Sequence, residues 1–139
     1  MNPAAQSRRF RWAAALLLVQ GILMEATVFI GLLVLLALRV PQDTITARAE
    51  IFALPYLQEN LYLMMAMSGI FAALRIIGAI AMWRGRLWGV ALSVVNSVVT
   101  LALMTFMLPA GIADGVLSGA ALVLILQGWF GDRRIDPAG

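Results

Sequence analysis

The 139-residue sequence contains no cysteine and no histidine, and since all ten of its basic residues are arginine it contains no lysine. These absences exclude disulfides, thiolate and imidazole metal sites, histidine-ligated haem, Cys or His nucleophiles and lysine Schiff bases. Redox and zinc chemistry go with them, and neither a metal nor a cofactor is expected. Charge is scarce as well. Charged residues make up 12% of the chain, about half the share found in a soluble domain. Hydrophobic residues make up 63%, and mean hydropathy is +0.94. A chain this small has too little polar surface to cover that in water, so it reads as an integral membrane protein, a single transmembrane domain over residues 1–139.

Four apolar stretches approach the roughly 20 residues that a bilayer crossing requires. They cover residues 12–38, 61–83, 87–108 and 111–130. Short joints, Arg84-Gly85-Arg86 and Pro109-Ala110, force antiparallel neighbours. The fold class is therefore all-α: a polytopic membrane protein with four transmembrane helices in an antiparallel bundle. Arg8, Arg9 and Arg11 precede the first stretch as in a signal peptide, and Ser7-Arg8-Arg9-Phe10 loosely matches a twin-arginine signal. The stretch nevertheless exceeds a signal core, carries Glu25 and ends at Leu38-Arg39 without a small-residue cleavage pattern, so it reads as a retained helix.

Orientation follows from the arginines. Arg8, Arg9 and Arg11, then Arg84 and Arg86, then Arg133 and Arg134 all fall on one side if the chain crosses four times, whereas the loop 39–60 mixes Arg39 and Arg48 with Asp43, Glu50 and Glu59. The positive-inside rule places both termini in the cytoplasm. Trp12, Trp83, Trp88 and Trp129 gather at that same interface, and Tyr56 and Tyr62 mark the opposite one. The expected location is the cytoplasmic (inner) membrane of a bacterium. In the outer loop, Ile45, Ala49, Phe52 and Tyr56 recur at helical spacing, with Asp43 or Thr44 as a cap and Pro55 as a stop. That pattern predicts a short amphipathic helix on the outer membrane surface, either a plain connector or a lid or docking surface.

Ionisable groups at bilayer depth are costly and therefore informative. Gln20, Arg75 and Asn96 each lie eight residues from the tryptophan at the inner end of their helix, about 12 Å deep, and Glu25 lies about 20 Å deep. A long arginine side chain spans that difference. Ser68, Ala72, Arg75 and Ala79 share one stripe of helix 2, and Ser93, Asn96, Ser97 and Thr100 share one of helix 3. On helix 1, Glu25 shares a face with Gly21 and Val28, while Gln20 is turned well away. The expectation is a polar cluster of Glu25, Arg75 and Asn96, joined by Ser93, Ser97 and Thr100. It reads either as a ligand or proton site or as a structural ion pair that fixes helix register.

Helix 4 carries Gly111, Gly115 and Gly119 at four-residue spacing with Ser118 beside them, a flat face for close packing within the bundle or against a second copy. Asp114, near the outer start of this helix, complements its dipole. Met64, Met65, Met67, Met104 and Met107 fall in the outer halves of helices 2 and 3, where methionine fills core gaps or lines an adaptable apolar pocket.

The run from Pro109-Ala110-Gly111-Ile112-Ala113-Asp114 through Ser118-Gly119 to Trp129-Phe130-Gly131-Asp132-Arg133-Arg134-Ile135-Asp136 resembles the third helix and following loop of the small multidrug resistance family. The resemblance implies a four-helix, dimeric, proton-coupled exporter of lipophilic cations, with Glu25 matching the family's first-helix glutamate by helix number and residue type. The sequence departs from that pattern in three ways. The run lies in the last helix instead of the third, Asp114 and Leu117 stand where the family has a ligand-stacking tyrosine and tryptophan, and Arg75 would repel a cation.

No nucleophile and base pair is visible, and no enzyme is expected. The leading expectation is a non-enzymatic accessory subunit or helix-packing interaction protein, whose partners are the lipid bilayer and, through the helix 4 glycine face, itself or a larger membrane complex. Nucleic acid is not expected, because the arginines are scattered over short segments. The alternative is a small proton-coupled transporter or lipophilic-ligand-binding protein using Glu25. An intramembrane enzyme on a lipid or isoprenoid substrate is a third reading.

Overall fold

The computed structural model describes residues 3–108 and 111–131. The Pro109-Ala110 joint, Arg133, Arg134 and the end of the multidrug-resistance-like run lie outside the described residues. Helix α1 (Pro3–Val19) continues through a π-helical segment (Gln20–Ala26) into α2 (Thr27–Ala37), forming the first candidate span. Two short helices follow, α3 (Gln42–Thr46) and α4 (Pro55–Glu59), and then the remaining spans α5 (Leu61–Trp83), α6 (Leu87–Met104) and α7 (Ile112–Phe130). All four spans are long and apolar enough to cross a bilayer, and the described residues contain no β-strand.

The boundaries have local causes. α1 reaches further toward the N-terminus than the apolar run because the arginine-rich segment before that run also favours helix. α5 covers the predicted 61–83. It closes with Gly85 in the left-handed region (φ 75°), where the Arg86 amide reaches back to the Ala81 carbonyl and the Gly85 amide to Met82. α6 stops four residues short of the predicted 108. Thr105 turns its hydroxyl onto the Ala102 carbonyl at 2.8 Å, and Leu108, preceding a proline, lies in the turn beyond the helix and accepts the Ala53 amide at 2.8 Å.

The loop between the first and second spans departs from the expected amphipathic helix. Asp43 lies inside the first turn of α3 instead of capping it, and Pro55 opens α4 instead of stopping a helix. Between them the backbone is held open by Gln58, whose Oε1 accepts the Ile51 and Phe52 amides at 2.9 and 3.0 Å and whose Nε2 donates to the Ala49 carbonyl at 2.7 Å. These bonds replace the helical ones. Gln42 performs a similar role, accepting the Tyr62 amide at 2.9 Å and donating to the Glu59 carbonyl.

At the end marked by the four tryptophans, α1, α5, α6 and α7 close into a ring, each packed on two neighbours. Ala13, Ala14, Leu17, Ala79, Met82, Ala121 and Ile125 form the core there. Large apolar residues such as Val19, Leu33, Ile70, Val95 and Val116 face outward, as lipid-facing positions do. Toward the loop end the ring opens. α2 packs on α5, with the Phe29 ring lying across Gly69, but makes no comparable contact with α6 or α7. The bundle thus has an apolar core at one end, a polar layer at mid-depth and a looser half beneath the loop.

Candidate functional site

The polar layer converges on Arg75. Its side chain leaves α5 between Ala72 and Ala79, all but buried at 1% exposure. Nε donates to Glu25 Oε2 at 2.9 Å and Nη2 to Glu25 Oε1 at 2.7 Å, a two-pronged grip on the carboxylate. Nη2 also donates to Thr100 Oγ1 at 2.7 Å, and Nη1 to Ser118 Oγ at 2.9 Å. All three guanidinium nitrogens are engaged, by partners from three different spans. Such satisfaction is what makes a charge tolerable at this depth.

The network continues into residues that the sequence pattern did not assign to it. Ser118 donates to Gln20 Oε1 at 3.2 Å, and Gln20 Nε2 donates to Asp114 Oδ1 at 3.0 Å and to the Asp114 carbonyl at 3.1 Å. Gln20 and Ser118 are fully buried. Gln20 is therefore not turned away from Glu25. The two stand on one face because the segment Gln20–Ala26 is π-helical, a geometry in which residues five apart are bonded neighbours. Val28, expected beside Glu25, is exposed. Gly21 does face the cluster: a Cβ there would touch Arg75 Cδ at 3.6 Å and Ile76 Cγ1 at 3.0 Å.

Of the four polar residues of α6, Thr100 alone reaches Arg75 through its side chain, and it passes a hydrogen bond to the Asn96 carbonyl at 2.9 Å. Ser93, Asn96 and Ser97 are buried on the same stripe, but Ser93 Oγ, Asn96 Nδ2 and Ser97 Oγ make no hydrogen bond within the described residues. Depth explains the split. Measured from Trp88 they lie about 8–14 Å deep, whereas Thr100 lies about 18 Å deep, close to Glu25 at about 20 Å. The Arg75 guanidinium climbs toward the loop end and leaves them beneath it. The same ruler applied from Trp129 puts Ser118 about 16 Å deep, the one sequence signal by which it could have been found.

Above the ion pair lies a cavity of about 250 Å³. Met64, Met67, Phe71, Met104, Phe106 and Met107 give it apolar walls, Leu57 of α4 closes on it from the loop, and Glu25, Thr100, Asp114 and Ser68 supply the polar groups. Four of the five methionines noted in the sequence thus line a cavity. Gly111, Gly115 and Gly119 pack within the chain: Gly111 and Gly115 approach Met104, and Gly119 approaches Leu101. Among the described residues no group of His, Cys, Asp or Glu is placed to hold a metal ion. Chemically, the site offers a neutralised ion pair, one further carboxylate at Asp114 and a soft, adaptable wall. No family model matches the chain, and no curated protein or solved structure is found to be similar to it.

Proposed function

We propose that this chain is a non-enzymatic, multi-pass protein of a bacterial cytoplasmic membrane that binds a lipophilic ligand in the loop-end cavity, with both termini on the cytoplasmic side. The observation that carries this reading is the cavity itself, walled by thioethers and aromatic rings and floored by the Glu25–Arg75 pair. Flexible methionines conform to varied apolar shapes, and a mostly apolar cavity with a few convergent polar groups is the usual form of a small-molecule site. The opening of the ring between α2 and α7 gives such a ligand a route from the bilayer.

The bidentate grip argues against proton-coupled exchange at Glu25. Protonating that carboxylate would leave Arg75 buried without its counter-charge, which costs several kcal/mol. The pair therefore serves as a fixed polar floor. A photoreactive diazirine alcohol of medium chain length, added to the protein in nanodiscs, tests the reading. Cross-links should concentrate on Met67, Phe71 and Met104, and Met67→Trp, which fills the cavity, should reduce them while leaving labelling of lipid-facing Val95 unchanged. Labelling spread evenly over outward-facing residues would sink the proposal.

A second reading, an accessory subunit or helix-packing component, is favoured by the mutual satisfaction of Glu25 and Arg75, which needs no ligand. Here a partner's side chain would fill the cavity. Purification from native membranes separates the two readings by what remains bound, a protein or a small lipophile.

A further inference from the structure

At the tryptophan-marked end, the start of α1 lies beside the α5–α6 joint, and a second cavity of about 240 Å³ separates them. Its lining has two characters. Phe10, Met82 and Trp83 are apolar or aromatic, whereas Gln6, Ser7 and Arg11 bring donors. The Arg11 guanidinium sits 6.0 Å from the centre of the Trp83 ring, a cation–π placement that keeps its charge beside the apolar wall.

Among the described residues, charge around this cavity has one sign. Arg8, Arg84 and Arg86 are exposed nearby in the chain, and Arg9 donates to the Gln127 carbonyl at 3.1 Å. Among the described residues no carboxylate lies at this end. Glu25 and Asp114 belong to the polar network, and Asp43, Glu50 and Glu59 to the far loop. The single ion pair among the described residues is Arg75–Glu25. Tryptophans settle at headgroup level, so the cavity lies at the depth of lipid phosphates.

We propose that this cavity binds the phosphate of an anionic glycerophospholipid, with Arg11, Ser7 and Gln6 facing the phosphate oxygens and Phe10 and Met82 facing the glycerol and first acyl carbons. Basic pockets between membrane helices recognise lipid headgroups in this way. Phosphate is common to a lipid headgroup and to the free ion, but the apolar wall fits only the lipid. The assignment depends on neither the ligand nor the orientation proposed above.

Native mass spectrometry of the full-length, delipidated protein titrated with phosphatidylglycerol tests it. One adduct per chain is expected at concentrations where phosphatidylethanolamine, whose ammonium the arginines repel, gives few. Arg11→Gln should weaken it by about fivefold, the worth of one arginine beside an anionic lipid, and Arg11→Lys should retain most of it. Arg9→Gln removes the same charge at the same end from a side chain that does not line the cavity, and should leave the adduct intact. Thermal stability of each variant without lipid controls for folding. An equal loss in Arg9→Gln would show diffuse attraction and overturn the site. Equal binding of phosphatidylethanolamine, or displacement by millimolar inorganic phosphate, would overturn the lipid assignment.

Discussion

Gln20 and Glu25 are five residues apart and yet belong to one hydrogen-bonded network, because the helix between them is wound as a π-helix. In an α-helix the same offset would separate their directions by about 140°. The wider turn directs both side chains inward, Glu25 onto Arg75 and Gln20 onto Ser118 and Asp114. It also marks where the first span leaves the closed ring, since α1 packs on α7 and α2 does not to any comparable extent.

A π segment behaves as a regular helix carrying an extra residue. Deleting Leu23, which is exposed on this segment, should let it relax to an α-helix with Gln20 and Glu25 four apart and still on one face. Thermal unfolding in detergent should change by only a few degrees. Deleting the equally exposed Ile70 removes a residue from the regular helix α5 and rotates Arg75 by about 100° relative to the preceding turns. That variant should lose most of its stability. Comparable losses for both deletions would show that the wide turn is not a register device.

Removing one member of the buried pair strands the other. Arg75→Met and Glu25→Gln should each cost about 3–5 kcal/mol, whereas the neutral double variant Glu25→Gln/Arg75→Met should recover much of that loss. A double-mutant cycle on unfolding free energy supplies the coupling energy, and a value near zero would contradict the geometry. Ligand cross-linking of the double variant, once its fold is restored, tests whether the charges matter to the cavity beyond holding the helices.

The spans were legible because apolar length is a one-dimensional signal, and residues 61–83 agree with α5. The Glu25–Arg75 pair was legible for a related reason: tryptophans at one interface give each helix a common origin, so depth can be counted. The rest depended on quantities that the sequence does not display. The π turn has no periodicity of its own, which hid Gln20. Asp114 has the pattern of an ordinary helix-start carboxylate, and its bond from Gln20 depends on that same turn. Asn96, Ser93 and Ser97 share a face with Thr100, but the direction in which Arg75 extends decides which of them it reaches. In the loop, the bonds of Gln42 and Gln58 outweighed a thin helical spacing.

Gly89 packs against neighbouring backbone, whereas Gly115 of α7 packs against a flexible side chain. A Cβ at Gly89 would meet the Met82 amide nitrogen at 2.5 Å and Ala81 Cβ at 2.6 Å, so backbone would have to move. At Gly115 the obstructing group is the Met104 thioether, which can swing aside. Gly89→Ala should therefore destabilise by about 2–3 kcal/mol, the upper part of the overpacking range. Gly115→Ala should cost less and instead intrude on the cavity, which Met104 lines. Thermal unfolding ranks the two, and the reverse order would refute the packing at the α5–α6 joint.

Gln58 is the clasp of the loop between the first two spans. Its side chain makes three hydrogen bonds to the backbone of residues 49–52, and α4, which carries it, places Leu57 against the cavity. Losing those bonds should favour local opening without global unfolding, because the spans share none of them. Gln58→Ala should speed tryptic cleavage after exposed Arg48 by about tenfold, as one to two kcal/mol of lost local stability implies, while the unfolding temperature of the bundle stays constant. Since Leu57 moves with α4, diazirine cross-linking within the cavity should change in the same variant. If cleavage accelerates with cavity labelling unaltered, the loop is a connector. If the two change together, residues 39–60 act as the lid of the site.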